Sequence, residues 1–140
     1  GGRAVHLDFL DQQYGGADLE ALSGAVSELV ETHRPQVVIG PLGVRHADHL
    51  LVRNAVLAAR VPVPLWMYAD LPYCNYSRSD EMASRDVLRW RGCVLDEVHP
   101  AAGSMDLKRA AVECYPTQNT QFDMNKIVAP ERFWAVTRDL

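Results

Sequence analysis

Apolar residues along the chain recur first at the spacing of a strand and then at the spacing of a helix. Residues 3–10 carry apolar side chains at alternate positions, which predicts a strand. From Asp18 the apolar positions recur every three or four residues, which predicts an amphipathic helix that ends before Pro35, because proline cannot continue a helix. The apolar run 37–39 predicts a second strand, and residues 50–60 predict a second helix.

Two more strands and one more helix are predicted further along. The apolar runs 63–68 and 93–98 are typical of strands, with the prolines of the first run near its start, where a missing N–H is tolerated. Ser104 can cap a helix over residues 105–114, which ends before a proline. Strands and helices that alternate in this way form an α/β fold with a mostly parallel sheet and flanking helices.

The remaining segments are predicted to be irregular. Residues 75–86 are polar and rich in Ser and Arg, so we expect a mobile loop or lid there. The stretch after Pro116 is expected to be coil or short helix, in which Phe133 and Trp134 act as core or interface anchors. With 48% hydrophobic residues, residues 1–140 are expected to form a single domain.

Composition narrows the range of partners. Fourteen basic and eighteen acidic residues give a net charge of −4 without a cluster of Lys or Arg, so nucleic acid is not an expected partner. No apolar run approaches the roughly 18 residues that a membrane span requires, and we expect a soluble, cytoplasmic protein. The three cysteines lack a Cys-x-x-Cys pair, which favours reduced, packed thiols, although two could pair in an oxidising compartment. The three tryptophans provide material for a homo-oligomeric interface.

The strongest candidate for chemistry follows the strand at 37–39. His46 and His49 are three residues apart at the start of a predicted helix, so their rings project from one face, and Asp48 between them can hydrogen-bond an imidazole. A loop that follows a strand lies at the carboxyl edge of the sheet, where α/β folds bind their ligands. Catalytic zinc requires three protein ligands, and this motif supplies at most two. A polar helix cap with solvated histidines is therefore an open alternative.

A second group of polar residues follows the strand at 63–68. Tyr68, Asp70 and Tyr73 are expected at the same edge of the sheet as the two histidines, because parallel strands present their carboxyl ends together. We predict that these three residues contact a small-molecule substrate. Simple packing at the edge is the alternative for the two tyrosines.

Four segments resemble one known family when they are taken in order. Residues 46–49 are His-Ala-Asp-His, residues 68–73 are Tyr-Ala-Asp-Leu-Pro-Tyr, residues 108–118 include Lys-Arg-Ala-Ala and Tyr-Pro-Thr-Gln, and residues 131–134 are Glu-Arg-Phe-Trp. These segments resemble motifs of the PIG-L/LmbE-like zinc-dependent N-deacetylases. The first resembles the family's His-Pro-Asp-His motif, and the second resembles its Tyr-Glu-Asp-Leu-Pro-Tyr segment. The third resembles its Lys-x-x-Ala and Tyr-x-Ser-Gln stretch, which the fourth segment follows.

The resemblance implies a Rossmann-like fold and hydrolysis of an N-acyl amide, usually N-acetyl, on an amino sugar or a related small molecule. It implies that His49 binds Zn²⁺. It further implies that His46 stabilises the oxyanion or protonates the departing amine, while Asp48 orients an imidazole. A metal-bound water with a pKa near about 7 would supply the nucleophile.

One motif of the family is missing. The His-Pro-Asp-Asp-Glu segment that supplies two zinc ligands and the general base has no counterpart here, since the position three residues after His6 is Phe9. Residues 3–10 resemble the strand that follows this segment, so we expect one βα unit or more, each of about 30 residues, before Gly1. The open alternatives are an incomplete enzyme, a chain that borrows ligands from another polypeptide, and a metal-free binding or structural relative.

Overall fold

Four strands form one open sheet in the computed structural model, which describes residues 2–9, 18–100, 103–119 and 123–138. The spatial order of the strands is β1-β2-β4-β3. In chain order they are β1 (Val38–Pro41), β2 (Leu65–Tyr68), β3 (Cys93–Val98) and β4 (Phe133–Arg138).

The pairing in this sheet is mixed. β1 and β2 are parallel, whereas β4 runs antiparallel to both of its neighbours, β2 and β3. The predicted α/β class and the flanking helices are therefore confirmed, but the mostly parallel pairing is not. The difference arises because β4, which was expected to be coil or short helix, inserts between two strands that point the same way. Its Trp134 is 2% exposed, so burial of this ring against the core stabilises the insertion.

Helices flank the sheet, and their ends follow local sequence signals. Asp18 caps the first helix by accepting a hydrogen bond from the N–H of Glu20 at 2.8 Å. Ser104 caps the fifth helix by accepting from the N–H of Leu107 at 3.2 Å, as the sequence predicted. The helices are α1 (Leu19–His33), α2 (Ala47–Ala58), α3 (Tyr73–Tyr76), α4 (Arg78–Trp90), α5 (Met105–Glu113), α6 (Pro116–Asn119) and α7 (Met124–Ile127).

Two further predictions of local structure are wrong. Residues 2–9 lie outside regular structure, and Val5, Leu7 and Phe9 are 46%, 38% and 44% exposed. Alternating apolar residues produce a strand only where a neighbouring strand completes the hydrogen bonds, and this segment has none among the described residues. Leu10, the last residue of that prediction, lies outside the described residues. The expected loop at 75–86 is instead mostly helical, because it contains the last two residues of α3 and most of α4.

The core lies between the sheet and the helices that pack on it. α2 packs on β1, α4 packs on β3, and α1 packs on α2. The buried apolar side chains are Leu42, Val44, Val56, Leu57, Leu65, Met67, Ala69, Cys74, Leu88, Cys93 and Trp134. Within the described part of the chain, no helix is long and apolar enough to cross a membrane.

Candidate functional site

The loop between β1 and α2 places the two histidines at the edge of the sheet. The N–H of Leu42 donates to the carbonyl of Tyr68 at 2.8 Å, which extends the parallel pairing by one residue beyond β1. Gly43 then turns the chain with φ +77°, and a Cβ at this position would lie 3.2 Å from the Cα of Leu50. Only glycine adopts this turn without strain, so the turn directs the following residues to the edge.

His46 is the N-cap residue of α2. Its Nδ1 accepts a hydrogen bond from the N–H of Asp48 at 3.3 Å, and a carboxylate oxygen of Asp48 lies 3.8 Å from the same nitrogen. The His46 side chain is 25% exposed. Because Nδ1 is the acceptor in this cap, the neutral ring carries its proton on Nε2. A helix cap was the alternative role that the sequence suggested, and the geometry shows that His46 does cap α2.

His49 lies against a buried carboxylate. Its Nδ1 is 2.7 Å from Oδ1 of Asp70, and the Asp70 side chain is fully buried. The two atoms are close enough for an ion pair, but the geometry does not meet the criteria for a hydrogen bond. The other oxygen of Asp70 accepts from the N–H of Val44 at 3.0 Å, which fixes the carboxylate. This arrangement leaves Nε2 of His49 as the ring nitrogen that can bind a ligand.

Tyr73 completes a cluster of three rings. The rings of His46 and His49 are 4.9 Å apart between their centres, and the Tyr73 ring lies 5.8 Å from the first and 5.7 Å from the second. Tyr73 opens the short helix α3, directly after the cis peptide between Leu71 and Pro72. The structure thus brings Tyr73 to the histidines, as the sequence placed it.

Tyr68 is the last residue of β2, and Asp70 lies in the loop that follows it. Burial raises the pKa of the Tyr68 hydroxyl, and the charges of Asp70 and Glu131 raise it further, so this hydroxyl stays protonated at neutral pH. The fully buried Asp70 carboxylate is directed to His49 and Val44. The predicted substrate contact of Asp70 stays a prediction.

Two residues that sequence reasoning missed hold the loop that carries the histidines. The Ser84 hydroxyl of α4 donates to the carbonyl of Gly43 at 2.7 Å. Arg53 of α2 is 5% exposed and donates to the carbonyl of Leu42 at 3.4 Å. Burial lowers the pKa of Arg53, the charge of Arg91 lowers it further, and Asp70 opposes both. Arg53 follows His49 by one helical turn, and this spacing is a weak sequence signal that Arg53 belongs to the site. The sequence gives no such signal for Ser84.

A partly buried ion pair joins α4 to the residue before β4. Glu81 is fully buried, and both of its carboxylate oxygens accept hydrogen bonds from the guanidinium of Arg132. Burial alone would lower the pKa of Arg132, but the hydrogen bonds and charge of Glu81 outweigh it and raise the pKa. The guanidinium carbons of Arg85 and Arg132 lie 5.3 Å and 5.8 Å from the centre of the Trp134 ring. Sequence reasoning assigned no role to Glu81 or Arg85.

The described residues provide one well-formed position for a metal ligand. Over residues 2–9, 18–100, 103–119 and 123–138, no group of three or more His, Cys, Asp or Glu side chains is arranged to hold a metal ion. Catalytic zinc takes three protein ligands, and a ligating histidine commonly has a carboxylate on its other nitrogen. His49 with Asp70 fits one such position, but these residues alone do not complete a zinc site.

The mixed sheet and its flanking helices resemble the fold of a solved deacetylase structure. One solved structure with a similar fold is "The crystal structure of the zinc inhibited form of teicoplanin deacetylase Orf2", with a TM-score of 0.69 and 19% sequence identity. It covers 86% of this chain and 52% of the deacetylase chain, so the present chain spans about half the length of that protein. At this identity the similarity shows the fold. Neither a scan of protein-family models nor a search of curated proteins gives a match.

Proposed function

We propose that this chain forms part of a zinc-dependent N-deacetylase. The enzyme hydrolyses an N-acyl amide on an amino sugar or a related small molecule, and the proposed acyl group is acetyl. The contact between His49 and the buried Asp70 carries the proposal. A carboxylate behind one nitrogen of an imidazole is the usual surrounding of a zinc-bound histidine. The fold shared with a deacetylase and the position of the pair at the carboxyl edge of β1 and β2 support it.

His49 would supply one ligand through Nε2, and the remaining ligands would come from outside the described residues. Zinc, where bound, supplies a Lewis acid for the amide carbonyl. The Asp70 carboxylate would hold the His49 ring in its orientation and keep the proton on Nδ1. Val44 would in turn hold Asp70 through its backbone N–H.

His46 would act on the substrate from the same face. Its ring lies next to His49 and is partly exposed, and its Nδ1 is occupied by the helix cap. The proton on Nε2 would therefore be the group that faces a bound amide. In this arrangement His46 donates a hydrogen bond to the oxyanion that forms on the carbonyl oxygen. Tyr73 packs on both rings and would restrict where the amide can lie.

Three histidine variants of the intact protein test this proposal by zinc content and by release of acetate from an N-acetylglucosaminide. His49→Ala is expected to lose the zinc, because it removes a ligand. His46→Ala is expected to keep the zinc and lose about 100-fold or more in turnover, which is typical for removal of one oxyanion donor. His33→Ala, at the exposed end of α1, is the matched control and should change neither quantity.

A metal-free binding protein with the same fold is the second candidate, because no group of three or more His, Cys, Asp or Glu side chains among the described residues is arranged to hold a metal ion. Zinc analysis separates the two candidates. Wild-type intact protein with stoichiometric zinc supports the deacetylase, whereas its isolation without zinc, and without uptake of added Zn²⁺, supports the binding protein. Loss of zinc in His46→Ala would show that the two histidines have been assigned the wrong roles.

A further inference from the structure

Two short helices, α3 and α7, are joined by a reciprocal pair of hydrogen bonds. The side-chain amide of Asn75 in α3 donates to the carbonyl of Lys126 in α7 at 2.8 Å, and the ammonium of Lys126 donates to the carbonyl of Asn75 at 2.8 Å. We refer to these two hydrogen bonds as the α3–α7 contact. The two residues are 51 positions apart in the chain, so this is a tertiary contact that local sequence does not provide.

Tyr76 of α3 reinforces the α3–α7 contact. Its hydroxyl accepts a hydrogen bond from the N–H of Asp123, the N-cap residue of α7, at 3.1 Å. The centre of its ring lies 5.5 Å from the ammonium of Lys126, which is a cation–π distance. The ammonium of Lys126 therefore meets both a backbone carbonyl and an aromatic ring of α3, and its removal would weaken the junction at two points.

The helix α3 depends on tertiary contacts because it is very short. It has four residues, its N-cap residue Pro72 makes no side-chain cap, and the side chain of Cys74 is the buried one. A single helical turn fixes several backbone dihedrals for few hydrogen bonds, so it is unfavourable in isolation. The N–H of Cys74 donates to the carbonyl of Asp70 at 2.9 Å and holds the start of α3, whereas the α3–α7 contact holds its end.

The position of α3 determines where the Tyr73 ring lies. Tyr73 is the first residue of α3, and its ring centre is 5.8 Å from that of His46 and 5.7 Å from that of His49. Asn75 lies two residues further on in the same helical turn, so a displacement of Asn75 also displaces Tyr73. The two histidines are held by other groups, His46 by the cap of α2 and His49 by Asp70.

We propose that Asn75 and Lys126 are positioning residues for the candidate site, because by joining α3 to α7 they hold the Tyr73 ring against the two histidine rings. Both residues act through Tyr73. The inference deepens the proposed function by adding residues that shape the site, and any effect on turnover rests on that function. The effect on the ring cluster depends on the α3–α7 contact alone.

The histidine ring signals report where the Tyr73 ring lies, because an aromatic ring shifts the NMR signals of nearby protons. In metal-free intact protein, Tyr73→Leu gives the signals of both histidines without this ring. Lys126→Met keeps the length of the side chain but removes the ammonium. It should move both signals toward those of Tyr73→Leu, since loss of a hydrogen bond from a charged group shifts the equilibrium that holds α3 by about tenfold or more. Lys126→Arg, which keeps a charged donor, should stay close to wild type.

Lys108→Met is the matched control. Lys108 is the other lysine of the chain and also donates to a backbone carbonyl, that of Ala129 at 2.8 Å, but it belongs to α5 and makes no part of the α3–α7 contact. We expect unchanged histidine signals in this variant. Unmoved signals in Lys126→Met, or an equal shift in Lys108→Met, would overturn the proposal.

A double variant separates positioning from a general effect on the fold. In the Tyr73→Leu background, Lys126→Met should leave the histidine signals where they are, because the ring that transmits the effect is absent. If Lys126→Met shifted the signals in this background as much as in wild type, Lys126 would act on the histidines by another route and the proposal would be wrong.

The wild-type protein provides a further test that needs no variant to fold. Nuclear Overhauser contacts are expected between the Tyr73 ring and both histidine rings, and between the side chain of Lys126 and the Tyr76 ring. Absence of either set would contradict the proposal. All of these measurements use metal-free protein and need neither zinc nor turnover, so a failure of the deacetylase proposal is separable from a failure of this one.

Discussion

Asp70→Asn is expected to change the tautomer of His49 while it leaves the shape of the site intact. In the wild type, one oxygen of Asp70 accepts from the N–H of Val44 at 3.0 Å, and the other lies 2.7 Å from Nδ1 of His49. A carboxylate oxygen at that distance requires the proton on Nδ1, because two lone pairs would repel each other. The lone pair of His49 is therefore on Nε2.

An asparagine cannot satisfy both neighbours in the same way. Its oxygen must face the N–H of Val44, since an unpaired buried N–H costs about 1–3 kcal/mol. Its NH₂ group then faces Nδ1, which must give up its proton to accept a hydrogen bond. The proton moves to Nε2 and occupies the lone pair that would bind a metal ion. The side chain of Asp70 is fully buried, so water cannot relieve this mismatch.

The expected magnitude follows from the role of such partners in metal sites. Loss of a group behind a metal-bound histidine usually weakens metal binding about 10- to 100-fold, or by about 1.4–2.7 kcal/mol. The zinc affinity of the intact protein is measured by competition with a chromophoric chelator. The tautomer is measured separately in metal-free protein from the ¹⁵N shifts of the His49 ring, with the proton on Nδ1 in wild type and on Nε2 in the variant.

Asp48→Asn is the matched control. It also replaces one carboxylate near an imidazole, but that carboxylate lies 3.8 Å from His46 and its side chain is 26% exposed. We expect an unchanged His49 tautomer and a zinc affinity within about twofold of wild type. If Asp70→Asn kept both the wild-type tautomer and the wild-type affinity, the role assigned to Asp70 would be refuted. A larger effect from Asp48→Asn would show that Asp48, rather than Asp70, orients the zinc ligand.

Two other substitutions test the scaffold of the site by denaturant unfolding. Gly43→Ala should destabilise the protein by at least about 2 kcal/mol, because φ is +77° and the new Cβ would lie 3.2 Å from the Cα of Leu50. Gly24→Ala, at an open position within α1, should stabilise it by about 0.5–1 kcal/mol, and equal signs for the two would contradict the argument. Glu81→Gln should cost about 1–3 kcal/mol, since the amide cannot accept both hydrogen bonds from Arg132, whose side chain is 25% exposed. Glu28→Gln on the exposed side of α1 should change stability by less than about 0.5 kcal/mol, and a similarly small loss for Glu81→Gln would show that the ion pair contributes little.

Much of the fold could be predicted because the predicted elements have regular apolar spacing and clear ends. The strand at 93–98 and the helices capped by Asp18 and Ser104 are found where the sequence places them. β4 was missed although it is rich in aromatic and β-branched residues. Its pairing is entirely with strands distant in sequence, and such pairing depends on tertiary context more than on local propensity.

For the candidate site, the sequence predicted which residues would come together but not which way each side chain would face. His46, His49 and Tyr73 form the expected cluster. Asp70 was placed at the right edge of the sheet, but spacing along a loop does not determine whether a carboxylate faces solvent or the protein interior. The inward direction is set by the N–H of Val44, a backbone group that sequence patterns cannot position.

The helix α4 was predicted to be a loop because its buried residues are mostly polar, and these same residues hold the candidate site in place. The buried face of α4 consists of Glu81, Ser84 and Leu88, so two of its three buried residues are polar and the usual apolar periodicity is absent. Each polar residue is buried because it has a specific partner: Ser84 holds the carbonyl of Gly43, and Glu81 holds Arg132. A buried polar group is stable only with such partners. The residues that obscured the helix in the sequence are therefore the ones that attach it to the loop of the histidines and to the start of β4.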